Sequence, residues 1–132
     1  MRDRAVAFTK ANLDGLNGSP PPKIVGVWKN ELTSVMTIRS QNRSVFSGVY
    51  DSPDGHGGRI QGSLTGILSG ETLGWTVSWK PTVDSTASWT GKFLIDRLTN
   101  QIVIYTLWYL SSGDANLPLW ESFAAGQDVF WQ

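Results

Sequence analysis

The stretch GWTVSW at residues 74–79 places apolar side chains at every second position, with small polar residues between them. In a β-strand, residues two apart share a face, so both tryptophans and the valine between them point to the same side. The stretch TLWYL at residues 106–110 has the same phase. All seven tryptophans lie in or beside such strand-like runs: Trp28, Trp75, Trp79, Trp89, Trp108, Trp120 and Trp131. We therefore expect a cavity with aromatic walls.

From Gly26 onward, short runs of β-branched and aromatic residues alternate with Gly, Pro, Ser, Asn and Asp clusters. Eight runs are predicted as strands, at about 26–30, 34–40, 45–51, 59–67, 72–80, 86–95, 101–110 and 121–131. Their connectors are too short for crossover helices, which favours consecutive antiparallel hairpins. Eight such strands can close around side chains and one small ligand. We predict an all-β fold, an eight-stranded antiparallel up-and-down β-barrel, with a two-sheet sandwich as the alternative.

The chain of 132 residues has the length of one domain. Residues 1–25 show no sustained periodicity and contain the linker-like sequence GSPPP at 18–22. We interpret residues 1–25 as a flexible N-terminal extension and residues 26–132 as the barrel domain.

Charge and composition exclude several classes of function. Eleven basic and eleven acidic residues give a net charge of zero, without the basic stripe that a nucleic-acid partner requires. No apolar run approaches the roughly 20 residues of a membrane helix, and no signal peptide is visible near the start of the chain. With no cysteine there is no thiolate metal site. We expect a soluble protein with no nucleic-acid or membrane partner.

A few polar residues fall at the inward phase of the predicted strands: Asn30, Ser34, Tyr50, Ser52, Ser85 and Asp128. Taken singly, each has an ordinary structural explanation, as a turn former, a core ring or a paired buried acid. Taken together, an amide, a hydroxyl and a phenol can donate to one oxygen, while Ser52 and an ionised Asp128 can accept from N–H groups. Such a set suits a urea, whose carbonyl oxygen accepts and whose nitrogens donate.

The chain resembles the avidin/streptavidin family of biotin-binding proteins. The matching stretches are GVWKNELTS at 26–34, FSGVYDS at 46–52, LTG at 64–66, TLGWTVSWK at 72–80, SWTGKF at 88–93, TLWYL at 106–110 and LWESFAAGQDVF at 119–130. The resemblance implies that Asn30, Ser34 and Tyr50 donate to the ureido oxygen of biotin. It also implies that Ser52 and Asp128 accept from the ureido N–H groups.

The resemblance further implies aromatic walls around the ligand, with two leucines filling gaps: Trp79, Trp89, Trp108, Leu32 and Leu110. Ser85 matches a hydroxyl that meets the ligand's carboxylate. Trp120 resembles the tryptophan with which one subunit of a family member covers the binding site of a neighbouring subunit. Its presence favours a homotetramer. The function implied is high-affinity biotin binding, one biotin per subunit, without catalysis or a cofactor, in a secreted protein. A lipocalin-like carrier of another small apolar ligand is the alternative.

Three features bear on the details of this prediction. Ala87 stands where the family usually has a threonine whose hydroxyl meets the biotin sulfur. The connection at 53–58 falls where the family's lid lies, and its three glycines predict mobility unless ligand orders it. The lone histidine, His56, lies in this connection; without a second histidine, a cysteine or a nucleophile elbow, we interpret it as a solvated loop residue and expect neither a metal site nor an enzyme.

Overall fold

The structure, a computed structural model, describes residues 8–10, 21–79 and 84–132. The strands in this part of the chain are β1 (Phe8–Lys10), β2 (Gly26–Asn30), β3 (Val35–Asn42), β4 (Val45–Pro53), β5 (Arg59–Ser69), β6 (Thr72–Trp79), β7 (Ser85–Asp96), β8 (Gln101–Ser112) and β9 (Phe123–Trp131). A 3₁₀-helix, Leu119–Glu121, precedes β9. Within the described residues, no helix is both long enough and apolar enough to cross a membrane.

Strands β2 to β9 form a closed antiparallel barrel. Each pairs with the next along the chain, and β9 pairs back with β2. The predicted eight-stranded barrel is confirmed, and each predicted strand end lies within two residues of the observed one. Lys80, the last residue of the strand predicted at 72–80, lies outside the described residues.

The segment before β2 contributes to the barrel at one end. The side chain of Ile24 is only 2% exposed, and its carbonyl accepts the indole N–H of Trp28 at 3.0 Å. Gln41 binds the backbone of the same segment at Pro22 and Ile24. These contacts close the end of the barrel opposite Asp128.

Three residues of the predicted extension form β1, which pairs with the end of β7 from Phe8↔Asp96 to Lys10↔Leu94. Residues 21–25 of the predicted extension are also described, whereas residues 1–7 and 11–20 lie outside the described residues. The division at residues 25 and 26 stays a prediction.

The barrel interior is filled by the side chains that the alternation predicts. In β6, Trp75, Val77 and Trp79 are buried while the residues between them face outward. Trp75 stacks on Trp89 of β7, with ring centroids 5.7 Å apart and planes inclined by 13°. Such aromatic pairs add about 0.5–1.5 kcal/mol beyond the apolar area they bury. The inward-facing tryptophans of β6 and β7 therefore form an aromatic layer below the open end of the barrel, as the period-two pattern of the sequence predicts.

A β-bulge shapes the wall between β3 and β4. The register shifts between Ile38 and Ser40, which makes Arg39 an extra residue on β3. A bulge bends its strand and increases the local twist, and this bending helps a sheet to close into a barrel. Beside the bulge, β4 continues through Gly48 to Tyr50, whose ring lies in the interior.

Candidate functional site

A cavity of about 320 Å³ opens at the end of the barrel where β4, β6, β7, β8 and β9 carry polar and aromatic side chains. It is lined by Asn30, Leu32, Ser34, Tyr50, Ser52, Pro53, Gly55, Trp79, Ala87, Trp89, Trp108, Leu110 and Asp128. Ten of the twelve residues predicted for the site are in this lining. The structure thus brings them together in one place, as the strand phases predict.

Several cavities are larger, and two of them, of about 480 and 350 Å³, lie elsewhere on the chain. The first is bordered by Glu31, Asp96 and Trp131 among others, and the second by Ile24, Trp28 and Phe93 at the closed end. Neither contains the predicted donor set, so size alone does not identify the candidate site.

Asn30 shapes the turn between β2 and β3 and also directs its amide nitrogen toward the cavity. Its Oδ1 accepts the backbone N–H groups of Leu32 at 3.0 Å and Ser34 at 2.9 Å, which shapes the turn between β2 and β3. Because the amide oxygen is occupied in this way, the amide nitrogen points inward and donates to the hydroxyl of Tyr50 at 3.3 Å. The turn therefore fixes the orientation of the donor.

The hydroxyl groups beside Asn30 form a connected polar group on one wall of the cavity. Ser34 Oγ donates to Ser52 Oγ at 3.1 Å, and the hydroxyl of Tyr50 accepts from the amide of Asn30 on the same wall. Burial raises the pKa of Tyr50 far above its ordinary value, against the lowering effect of Ser34. The phenol therefore keeps its proton and remains available as a donor across the physiological pH range.

Asp128 faces these donors from β9. The residue is only 3% exposed, its Oδ2 accepts the indole N–H of Trp89 at 2.9 Å, and its Oδ1 has no hydrogen-bond partner among the described residues. Burial raises the pKa of Asp128 to about 6; the bond from Trp89 opposes this rise, and the charge of Glu31 adds to it. The free Oδ1 is a buried acceptor available to an N–H group.

Aromatic rings enclose the space between the polar groups. Tyr50 meets Trp79 edge to face at 5.6 Å and lies 4.7 Å from the ring of Trp89. Trp108 forms the wall on β8, and Gly126 lies directly behind it, where a Cβ would stand 2.5 Å from the indole. The ring positions are thus set by packing within the barrel wall.

Two predicted residues lie away from this lining. Ser85 begins β7 opposite Trp79 and borders a neighbouring depression with Asp84 and Ser112. Trp120 lies in the 3₁₀-helix and is 76% exposed. Their predicted roles, toward a ligand carboxylate and across a subunit interface, stay predictions. Ala87, by contrast, is buried and lines the cavity with its methyl group.

The loop over the cavity is organised by a residue that the sequence analysis did not single out. Asp54 Oδ1 accepts the backbone N–H groups of His56 at 2.7 Å and Gly58 at 3.0 Å, and these bonds lower the pKa of Asp54. The Asp-Gly sequence at 54–55 was the available signal, since Asp often forms such turns. Gly55 reaches the cavity lining, whereas His56 is exposed.

The base of the same loop is tied to the turn between β2 and β3. Arg59 pairs with the carboxylate of Asp51 and donates to the carbonyl of Thr33 at 2.8 Å. In the described part of the chain, no cluster of three or more His, Cys, Asp or Glu side chains could hold a metal ion.

A profile of the Avidin family matches residues 20–132. The solved structures that share the fold include these three. Xenavidin is 27% identical, with a TM-score of 0.69 over 83% of this chain and 96% of its own. A biotin binding protein from chicken is 28% identical, with a TM-score of 0.66 over 82% of this chain and 94% of its own. Rhizavidin, solved as a biotin complex, is 26% identical, with a TM-score of 0.66 over 82% of this chain and 90% of its own. A comparison with curated protein sequences gives no significant match.

Proposed function

Since the chain belongs to the avidin family, we propose that it binds biotin in the cavity at the open end of the barrel, one molecule per subunit, without catalysis. The observation that carries this proposal is the buried polar arrangement, in which Asn30, Ser34 and Tyr50 stand on one side and the free Oδ1 of Asp128 on the other. A lipocalin-like carrier of apolar ligands would not need such a set.

The donors would act on the ureido group of biotin as a preorganised dipole. Hydrogen bonds from Asn30, Ser34 and Tyr50 to the ureido oxygen favour the resonance form that carries negative charge on oxygen. Ser52 and Asp128 would accept the two N–H groups, and the bond to the ionised carboxylate is charge-assisted. Asn30 and Asp128 are already oriented by the turn and by Trp89, so little of their conformational entropy is lost on binding. The hydroxyl of Ser34, which donates to Ser52 in the unliganded protein, would turn to the ureido oxygen.

The aromatic walls would hold the ring system and the aliphatic chain. Trp79, Trp89 and Trp108, with Leu32 and Leu110, offer apolar surface, and Ser85 would meet the carboxylate at the rim. Ala87 offers only a methyl group toward the biotin sulfur. The absent hydroxyl corresponds to one neutral hydrogen bond, about 0.5–1.5 kcal/mol, so affinity should fall by no more than about tenfold.

Calorimetric titration with biotin tests this function directly. We expect one biotin per subunit, quenching and a blue shift of tryptophan emission, and a large rise in melting temperature. Octanoate is the matched control, because it has an aliphatic chain and a carboxylate but no ureido group. Binding of octanoate with no response to biotin at micromolar concentration would favour the lipocalin-like carrier and contradict the proposal.

Biotin affinity should depend on pH through Asp128. The pKa of this carboxyl is about 6 in the unliganded protein, and an N–H donor from the ligand favours the ionised form, so binding lowers that pKa. Binding therefore releases a proton near and below pH 6, and affinity should increase with pH by up to about tenfold per unit, then level off above about pH 7. Titrations in buffers of different ionisation enthalpy would measure the released proton. A pH-independent affinity would contradict the assignment of Asp128.

We further propose a homotetramer in which Trp120 of one subunit covers the cavity of another. This proposal is supported by an exposed apolar patch formed by Leu119, Trp120 and Phe123 at the cavity end of the barrel, with Trp120 76% and Leu119 78% exposed. Contiguous exposed patches of this kind mark interaction surfaces.

Replacement of Trp120 by Lys should disrupt the tetramer and accelerate biotin dissociation, by about tenfold or more, because a buried interface tryptophan is a typical hot spot. Light scattering and competition with labelled biotin would measure the two effects. Leu98→Lys is the matched control, since Leu98 is equally exposed, at 74%, but lies in the turn at the far end of β7. An unchanged mass and dissociation rate for Trp120→Lys would show that this residue is not shared.

A further inference from the structure

The barrel closes through its shortest strand pairing. Strands β2 and β9 share two register pairs, Lys29↔Trp131 and Asn30↔Phe130, whereas β8 and β9 are paired continuously from Ile104 to Ser111. At Asn30 the chain leaves β2 and turns back toward β3. The barrel therefore has little backbone hydrogen bonding at this seam, directly beside the cavity.

Glu31 extends the seam with its side chain. Its Oε2 accepts the backbone N–H of Val129 at 3.0 Å, a partly buried bond between residues far apart in the chain. Val129 immediately precedes Phe130 on β9, so it lies at the position where pairing with β2 would continue beyond Asn30↔Phe130, and it directly follows Asp128 in sequence. A carboxylate thus supplies the acceptor at the point where the strand pairing has ended.

Glu31 is also a charged group that acts on Asp128. Of the other side chains that influence this carboxylate, Asn30 on β2, Trp89 on β7 and Trp108 on β8 are neutral donors. Tyr50 on β4 is titratable but neutral, because burial keeps its proton in place. A neighbouring negative charge disfavours ionisation of Asp128, and the charge of Glu31 adds to the effect of burial on its pKa.

We propose that Glu31 is a positioning residue for Asp128: its side chain holds β9 against β2 at the edge of the cavity, and its negative charge acts on the Asp128 carboxylate. This inference deepens the proposed function and rests on it for its consequence in biotin binding. It predicts two separable effects, one from the hydrogen bond to Val129 and one from the charge.

The charge is tested in the unliganded protein with Glu31→Gln, which removes the charge and keeps an oxygen that can accept from Val129. The indole N–H resonance of Trp89 reports on Asp128, to which it donates. Its titration midpoint, near pH 6 in the parent, should fall by about 0.3–1 pH unit, the size expected for one partly screened charge. The midpoint should fall equally in Glu31→Ala. An unchanged midpoint in both variants would overturn the electrostatic role.

Two variants make this titration specific. Asp128→Asn should abolish the transition, which assigns it to Asp128 and not to another group. Glu71→Gln removes the same charge from the turn between β5 and β6, at the end of β5 opposite the loop over the cavity, and should leave the midpoint unchanged. An equal fall in Glu71→Gln would show a general effect of net charge and would contradict the assignment to Glu31.

The hydrogen bond is tested by hydrogen exchange at Val129 and by biotin dissociation. Glu31→Gln should keep the Val129 amide protected, whereas Glu31→Ala should expose it and accelerate biotin dissociation by about 2- to 10-fold, the equivalent of one hydrogen bond. Unchanged exchange in Glu31→Ala would overturn the positioning role. If the parent failed to bind biotin, the proposed function would be wrong, but the Trp89 and Val129 measurements would still decide what Glu31 does.

Discussion

Asp128→Ala is expected to weaken biotin binding by about 2–5 kcal/mol, a factor of about 30 to several thousand, because it removes one partner of a buried, charge-assisted hydrogen bond. The ureido N–H of the ligand would then be buried without an acceptor. The barrel itself should stay folded. Burial disfavours the ionised carboxylate, as the raised pKa of about 6 shows, so its removal relieves a cost that offsets the loss of an acceptor for the indole N–H of Trp89. Isothermal calorimetry and thermal melting would measure the two quantities separately.

Two comparisons make the Asp128 experiment decisive. Asp128→Asn keeps the shape and one acceptor oxygen but loses the charge, so its affinity should lie between those of the parent and Asp128→Ala, without the pH dependence near 6. Asp84→Ala removes an exposed carboxylate just before β7 and should change affinity by about twofold or less, as for most surface substitutions. Parent-like affinity in Asp128→Ala would show that the ureido group does not bind at this position.

The strands could be predicted because their signal is local. Trp75, Val77 and Trp79 alternate with polar residues in a run bounded by turn residues, and this alternation alone determines which face is buried. Closure of the barrel followed from eight runs with short connectors. The exact ends could not be predicted, because strand pairing continues into polar residues such as Ser69 and Ser112 that carry no apolar signal.

The site was predictable to the extent that its residues project from strands. Asp128 and Trp108 take their direction from the period of two, so their meeting in one cavity follows from the topology. Glu31 and Asp54 act from turns, where side-chain direction depends on backbone geometry that no periodicity encodes. The sequence shows Glu31 as one more exposed acid, and only the register of β2 against β9 brings it to Val129. The roles predicted for Trp120 and Ser85 depend on groups outside the single-chain cavity, so they stay predictions.

Gly48→Ala is expected to lower the free energy of unfolding by about 3 kcal/mol, and this is the largest effect on stability that we predict. A Cβ at Gly48 would overlap the carbonyl oxygen of Thr37, and it would lie 2.9 Å from the carbonyl carbon of Thr37 and 3.0 Å from Cα of Ile38. These atoms belong to the backbone beside the bulge in β3, so they cannot move aside as a flexible side chain could. Relief of the overlap requires separating β3 from β4. Urea denaturation followed by tryptophan fluorescence would measure the loss.

Gly74→Ala is the matched control for Gly48→Ala, because it adds the same methyl group to β6, where it would meet a single backbone oxygen, that of Trp89, at 3.2 Å. A shift of a few tenths of an ångström accommodates this contact, so we expect a loss of about 1 kcal/mol or less. Gly48 also precedes Tyr50 by two residues on the same face of β4. The fraction of Gly48→Ala that stays folded should therefore bind biotin more weakly, since Gly48 and the phenol donor share strand β4. Equal stability of the two variants would show that the bulge does not constrain the barrel wall.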